Sequence, residues 1–229
     1  MTQPDRSSQV TVVIPAKDEE GLIEEIIDSV QPFVDEVLVV DGHSRDRTRE
    51  LAIARGAKVI QDEGHGKGEA IRIALRAATT GIVVFIDADG SHDPNDIPKL
   101  VGPIKAGKAD LVIGSRGKGG SDELHGTLPQ FIRYVGSQII MLTINWRWSV
   151  QLTDSQNGFR AIRKDVGEKL GLTSNLTTIE QEMLMKALRK GFRVGEIPSH
   201  EYERKWGTSK VVVWKLWFAY VWSFLRNII

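Results

Sequence analysis

The chain has 229 residues, 41% of them hydrophobic, which suffices for one large domain with a buried core. Lysine plus arginine and aspartate plus glutamate balance at 30 each, so net charge offers no argument for a nucleic-acid partner. The absence of cysteine excludes disulfides, thiolate metal sites and cysteine nucleophiles, and favours a cytoplasmic setting.

The polar opening MTQPDRSSQ has no secretory apolar stretch and reads as a disordered tail over 1–9. Short β-branched runs follow at 10–15, 36–41, 57–62, 82–87 and 110–115, and they read as buried parallel strands. Helical spacing fills the intervals at 19–31, 46–55, 68–79 and 95–106. This alternation predicts an α/β fold with a Rossmann-like, mostly parallel sheet flanked by helices, its ligands lying beyond the carboxyl ends of the strands. After Ser115 come a glycine-rich loop (116–126), an apolar helix at 128–145, DSQNGFRAI (154–162), a helix at 179–190 and a strand at 193–197.

Carboxylates collect at the predicted strand ends. Asp41 closes the second strand in VVDGHS, Asp87 closes the fourth in FIDADG, and Asp89 follows two residues later. Oxygen ligands on a short loop suit Mg²⁺ or Mn²⁺, held through carboxylates and substrate phosphates. An ordinary turn also accounts for Asp-Ala-Asp alone, but clustered carboxylates repel unless a cation compensates them. Asp93, before Pro94, reads as a turn residue leading into the next helix.

Other groups point to the same rim. Asp18 and Glu19 fall in the first turn of the 19–31 helix, where Asp18 could receive a nucleobase or ribose hydroxyl and dipole compensation accounts for Glu19. GHGKGEA (64–70) carries Lys67 before a helix start; a phosphate cradle and a solvated surface loop are both open readings. His43 and His65 read as polar loop residues. Arg116 and Arg133 could pair with phosphate or carboxylate.

In order along the chain, VIPAKDEEG, VVDGHSRDRT, GKGEAIRIAL, FIDADGSHDP, IGSR, DSQNGFRAI, EQEMLMKALRKGFRVGEIP and ERKWGTSK resemble the polyprenyl-phosphate glycosyltransferases. That group includes dolichol-phosphate mannose and glucose synthases and has the type A glycosyltransferase fold; the likeness runs from about residue 10 to 210. The resemblance implies a catalytic domain over 10–203, with nucleotide-sugar contacts at Pro15, Asp18, Asp41, Lys67, Asp87, Ala88 and Asp89 and a divalent metal at Asp87 and Asp89. It implies Asp89, Asp154, Arg116 and Arg204 as the catalytic set, and Arg116, Arg133, Arg204 and Lys210 as the acceptor-phosphate set. The implied reaction is inverting transfer of a hexose from UDP-glucose, UDP-N-acetylglucosamine or GDP-mannose to a polyprenyl phosphate at the cytoplasmic membrane face. Two departures bear on the donor: VVDGHS stands where the mannose type shows VDDGS, and DSQNGFR is closer to the D-T-Q-x-G-F form of glucose-type relatives. Glu180 and Glu182 sit where a base would act on a hydroxyl acceptor, unless they are exposed helix charges. A sugar-phosphate nucleotidyltransferase and a non-catalytic nucleotide-sugar binding module are the competing readings.

Residues 204–229 are basic, rich in tryptophan and free of acid. On a helix, Lys215, Ala219, Ser223 and Arg226 share a narrow polar face, while Trp217, Tyr220, Phe224 and Ile228 lie on the apolar remainder. This predicts an amphipathic helix lying on the membrane surface, too short between Lys215 and Arg226 for the roughly 20 residues of a span. Packing on the domain and a homo-oligomer contact are the alternatives.

Overall fold

The computed structural model describes residues 6–122, 128–206 and 213–228. Arg6–Ser8 form a 3-10 turn, and the Arg6 carbonyl accepts from the Gly81 N–H at 2.7 Å. The tail expected over 1–9 is therefore ordered from Arg6 onward.

Seven strands make one sheet: β1 (Val10–Ala16), β2 (Glu36–Asp41), β3 (Lys58–Gln61), β4 (Ile82–Phe85), β5 (Leu111–Ser115), β6 (Arg160–Arg163) and β7 (Val194–Pro198). Their order is β3-β2-β1-β4-β6-β5-β7. Neighbours run parallel except at β6, which is antiparallel to both β4 and β5. The sequence reading placed no strand at β6. Its four residues, Arg-Ala-Ile-Arg, are flanked by charge, so no apolar run marks it. Arg160 is nonetheless fully buried, its guanidinium donating to the carbonyls of Asn157 and Glu180.

The helices are α1 (Ile23–Val30), α2 (Thr48–Ala54), α3 (Lys67–Ala77), α4 (Ile97–Lys105), α5 (Arg116–Gly119), α6 (Leu128–Trp148), α7 (Lys164–Lys169), α8 (Ile179–Arg189) and α9 (Val213–Ile228). Strand side chains alternate between two layers, as a pleated backbone requires. Val12, Ile14, Val39 and Val84 meet Ile23 and Ile27 of α1 and Leu100 of α4 on one face. Val13, Leu38, Val40 and Phe85 meet Ile71 of α3 and Met183 and Leu184 of α8 on the other. Burial on both faces explains the continuous apolar runs in the sequence. Each such side chain contributes roughly 1.5–3 kcal/mol when fully buried.

Three further expectations change. α1 begins at Ile23 rather than residue 19, and Asp18 lies outside it with φ 57°. The start of the glycine-rich loop is the short helix α5, capped by the Ser115 hydroxyl, which accepts from the Lys118 N–H. In α9 the expected polar face is turned inward at Ser223, which is buried beside Asn227. Phe224 and Ile228 pack against the core, and Trp222, Leu225 and Arg226 face out. The turn role of Asp93 holds: its carboxylate accepts from the Asn95 N–H at 2.9 Å, ahead of α4.

Candidate active site

The carboxyl ends of β1, β2, β4 and β5 share one rim because these strands run the same way. Asp41 is the last residue of β2 and is fully buried; its two oxygens accept from the Ser44 N–H at 3.2 and 3.3 Å. The Ser44 hydroxyl oxygen in turn accepts from the Asp18 N–H at 2.9 Å, and the Asp18 carboxylate accepts from the Arg45 N–H at 2.8 Å. Asp18 and Asp41 thus belong to one hydrogen-bonded corner. Pro15 pairs in register with Val40 beside them. β4 stops at Phe85, so Asp87 stands two residues past the strand rather than closing it. Ala88 turns its methyl into the core, leaving its backbone at the rim.

Lys67 crosses to Asp87. Its Nζ lies 2.6 Å from Asp87 Oδ1 and 3.1 Å from Glu180 Oε1. Burial opposes the lysine charge, but the two carboxylates outweigh it and hold the pKa above the ordinary lysine value. Burial likewise favours neutral Asp87, and the nearby ammonium prevails, lowering its pKa. Glu180 is 2% exposed and its second oxygen has no hydrogen-bond partner, so the exposed-helix-charge reading of this residue fails. Glu182 is buried too, but it caps the 173–174 backbone and pairs with Lys186. Gly158 permits the crossing: a Cβ there would meet Lys67 Nζ at 2.8 Å and Asp87 Oδ2 at 2.9 Å.

The start of α3 is not an open phosphate cradle. Gly68 N–H donates to the Asn175 carbonyl at 2.9 Å, and Glu69 N–H to that of Gly66 at 3.0 Å. Glu69 also accepts from the Glu63 and His65 N–H groups, which closes the loop on itself. Glu63, His65 and Glu69 lie within 4.8 Å of one another, an arrangement this capping explains.

Asp89 is held from two sides. Oδ1 accepts from the Ser91 N–H at 3.1 Å and hydroxyl at 2.7 Å, while Oδ2 lies 3.2 Å from Arg204 Nη1. The Asp89 carbonyl accepts from Lys205 N–H at 3.0 Å, and Tyr202 N–H donates to the Ser91 carbonyl at 2.8 Å. The segment carrying Arg204 is thereby strapped along the Asp87–Asp89 loop. Trp206 packs against Gly21, and Lys205 pairs with Glu25 at 2.8 Å.

Arg116, just past β5, meets Asp154 with Nε at 2.6 Å and Nη2 at 3.0 Å, a two-toothed pair. Its Nη1 reaches Glu201 at 3.2 Å. Burial would neutralise Asp154, but the guanidinium keeps its pKa lowered, and Asp154 with Glu201 raises that of Arg116. Glu196 fixes the backbone here by accepting from the Thr153 and Asp154 N–H groups at 2.7 and 2.9 Å. Glu196 and Glu201 were not singled out from the sequence: Glu196 lies inside EQEMLMKALRKGFRVGEIP, where nothing distinguishes it from the other acids, and Glu201 falls between that stretch and ERKWGTSK. His92 is buried, stacked on Phe159 with centroids 5.1 Å apart, and burial lowers its pKa. The Arg133 side chain and all of Lys210 lie outside the described residues.

Asp87 and Asp89 are the residues that could hold a metal ion. Their carboxylate oxygens match a hard divalent cation, and each also pairs with one basic side chain, Asp87 with Lys67 and Asp89 with Arg204.

A mostly parallel sheet with these acids at its carboxyl rim is the architecture of a glycosyltransferase of the type A fold. The chain belongs to glycosyl transferase family 2, whose model matches residues 11–171. A low-salt glycan biosynthesis hexosyltransferase of Haloferax volcanii is 30% identical over 88% of this chain, which spans about half (49%) of that relative. A dolichyl-phosphate hexose transferase of the same organism is 30% identical over 85% of this chain and 83% of its own length. Among solved structures, glucosyl-3-phosphoglycerate synthase of Mycobacterium tuberculosis, in complex with Mn²⁺, UDP-glucose and phosphoglyceric acid, aligns with TM-score 0.74 and 26% identity, covering 96% of this chain and 79% of that one.

Proposed function

We propose that the protein transfers a hexose, with inversion, from a nucleoside diphosphate sugar to a polyprenyl phosphate at the cytoplasmic membrane surface. The observation that carries this reading is Arg204 at 3.2 Å from Asp89, on a basic segment that leads into the acid-free helix α9. It sets a phosphate-binding guanidinium beside the loop that would hold the diphosphate. The dolichyl-phosphate hexose transferase relative supports the acceptor class. UDP-glucose, UDP-N-acetylglucosamine and GDP-mannose are the candidate donors, and the UDP-glucose complex of the structural neighbour supports the uridine nucleotides.

In this reading residues 10–203 are the catalytic unit and 204–229 the interfacial segment. Pro15, Asp18, Asp41 and the backbone of Ala88 receive the nucleoside, while Lys67, Asp87 and Asp89 attend the diphosphate. Mg²⁺ or Mn²⁺ at Asp87 and Asp89 would supply electrostatic stabilisation of the leaving diphosphate. Arg116, Arg133, Arg204 and Lys210 bind the acceptor phosphate, and Asp154 orients Arg116. An acceptor phosphate oxygen attacks the anomeric carbon, the carbon–oxygen bond to the diphosphate breaks, and its electron pair leaves with the diphosphate. A phosphate nucleophile is already ionised near neutral pH, so no general base is required.

A hydroxyl acceptor is the second reading, favoured by buried Glu180 with its free oxygen, which could then serve as a base. Incubation with radiolabelled donors, Mn²⁺ and either polyprenyl phosphate or 3-phosphoglycerate separates the two. Label in the lipid, abolished in Asp89→Ala, is the expected result. Label only in phosphoglycerate would overturn the lipid reading, and full activity of Asp89→Ala would overturn the metal assignment.

A further inference from the structure

Two helices of the α8 side of the sheet leave apolar side chains in solvent. On α6, Val135, Ile139, Leu142 and Trp146 recur at helical spacing, with Leu142 68% and Trp146 81% exposed. Four residues so spaced fall within about 60° of arc along roughly 16 Å of helix. The opposite side of α6 is spent on the core through Met141, Ile144 and Trp148. α9 packs against both α6 and α8 and adds Trp222, 68% exposed, and Leu225. The apolar residues that the sequence assigned to a membrane, Phe224 and Ile228, are consumed by this packing.

We propose that the outer face of α6, together with Trp222 and Leu225 exposed on the adjoining α9, is a docking surface for an anionic lipid bilayer. Charge selects this occupant. The 21 residues of α6 and the 16 of α9 contain no acid, although the chain holds 30, and both Arg147, whose guanidinium lies over the Trp148 ring, and Arg226, next to Leu225, are exposed. An anionic headgroup layer complements that surface. A second copy meeting the same face would set one acid-free pair of helices against another, leaving their arginines without a carboxylate from either. Tryptophan at positions 146 and 222 suits the headgroup boundary, where one part of the ring is wet and the other is not. No helix among the described residues is long and apolar enough to cross a membrane, so docking in the interfacial plane is the geometry that remains for this face. The site is linked to it: the α9 residue Tyr220 donates its hydroxyl proton to Thr177 at 3.1 Å, next to the helix that carries Glu180, and Gln181 donates to the Tyr220 carbonyl at 3.3 Å.

The inference deepens the lipid-acceptor reading and rests on it for its biological sense, but binding is tested without any acceptor. The full chain is sedimented with vesicles of phosphatidylcholine alone or with about one-third phosphatidylglycerol, at low and high salt. Binding to the anionic vesicles is expected, weakened by salt and reduced about tenfold or more in Leu142→Glu/Trp146→Glu. Because the chain has no cysteine, Leu142→Cys can carry an environment-sensitive dye, with Ile53→Cys on α2, across the sheet, as the control. A blue shift on vesicles at 142 and none at 53 is expected. Equal binding by the double variant, or equal shifts at both positions, would overturn the proposal. So would a dimer that the double variant dissolves in a protein that ignores vesicles. Vesicle binding by a protein that transfers no sugar to any polyprenyl phosphate would leave the docking surface standing and remove the acceptor assignment.

Discussion

Replacing Lys67 by methionine tests the electrostatic design of the site. The ammonium lies 2.6 Å from Asp87 and 3.1 Å from Glu180. At an effective dielectric constant of about 20, these contacts amount to gross attractions of roughly 6 and 5 kcal/mol, much of it offset by desolvation. Removing the cation leaves two carboxylates facing each other, one of them almost fully buried, and breaking such a group costs about 3–5 kcal/mol. Lys67 and Asp87 retain about a quarter of their side-chain exposure, which places the expected loss near the lower figure, about 3 kcal/mol. For a chain of this size that corresponds to a fall in Tm of roughly 6–12 °C, read by scanning calorimetry without metal. Glu180→Gln in the Lys67→Met background should recover part of it, because the second charge is gone. Saturating Mn²⁺ with UDP should recover part as well, since a bound divalent cation answers the same carboxylates. A Lys67→Met protein that melts with wild type in the absence of metal would refute this reasoning.

Gly158→Ala would press a methyl group against Lys67 Nζ and Asp87 Oδ2; the lysine end can yield, so a loss of roughly 1–3 kcal/mol in stability is expected, with weaker UDP–Mn²⁺ binding by titration calorimetry. Arg116→Lys loses the two-toothed bond to Asp154 and the reach to Glu201, and should cost about 2 kcal/mol of stability in denaturant titration together with most of the sugar transfer. The pKa of Asp110 is held at about 2, first by its hydrogen bond from Arg193, against the ordinary aspartate value of 3.8. Its folded pKa is depressed, so the stability it contributes is present above the unfolded value and is lost as pH falls from about 4 to about 2. Allowing for the exposed arginine, that contribution is about 1–2 kcal/mol, and Asp110→Asn should flatten the acid limb of the Tm–pH curve by that amount.

The strands were legible because strands buried on both faces have to be apolar throughout, as VTVVIP and EVLVVD are. β6 was not, because its burial is achieved by Arg160 donating to backbone carbonyls, a solution that leaves no hydrophobic trace in four residues. The acids of the site were legible for a topological reason: residues at the ends of parallel strands must share a rim. The pairings among them were not: Lys67 and Glu180 were named as site residues but not as partners, and Glu201 was not named, since they arrive from α3, from α8 and from beyond β7. The same limit applies to α9. Periodicity tells which residues share a face, but with apolar residues on both sides it does not tell which face meets the protein, and the packing of Phe224 and Ile228 decides it.

These pairings change what the acidic loop requires. Around the Asp87–Asp89 loop and Asp154, four basic groups, Lys67, Arg116, Arg160 and Arg204, face five carboxylates, Asp87, Asp89, Asp154, Glu180 and Glu201. The formal excess is one negative charge, which a divalent cation would more than offset. A diphosphate approaching this rim alone would meet net repulsion, whereas a diphosphate carrying Mg²⁺ or Mn²⁺ would bring the missing charge with it. Metal and donor should therefore bind with strong mutual dependence. Titration of UDP with and without Mn²⁺ measures that coupling, and equal affinity in both cases would remove the electrostatic argument for a metal at Asp87 and Asp89.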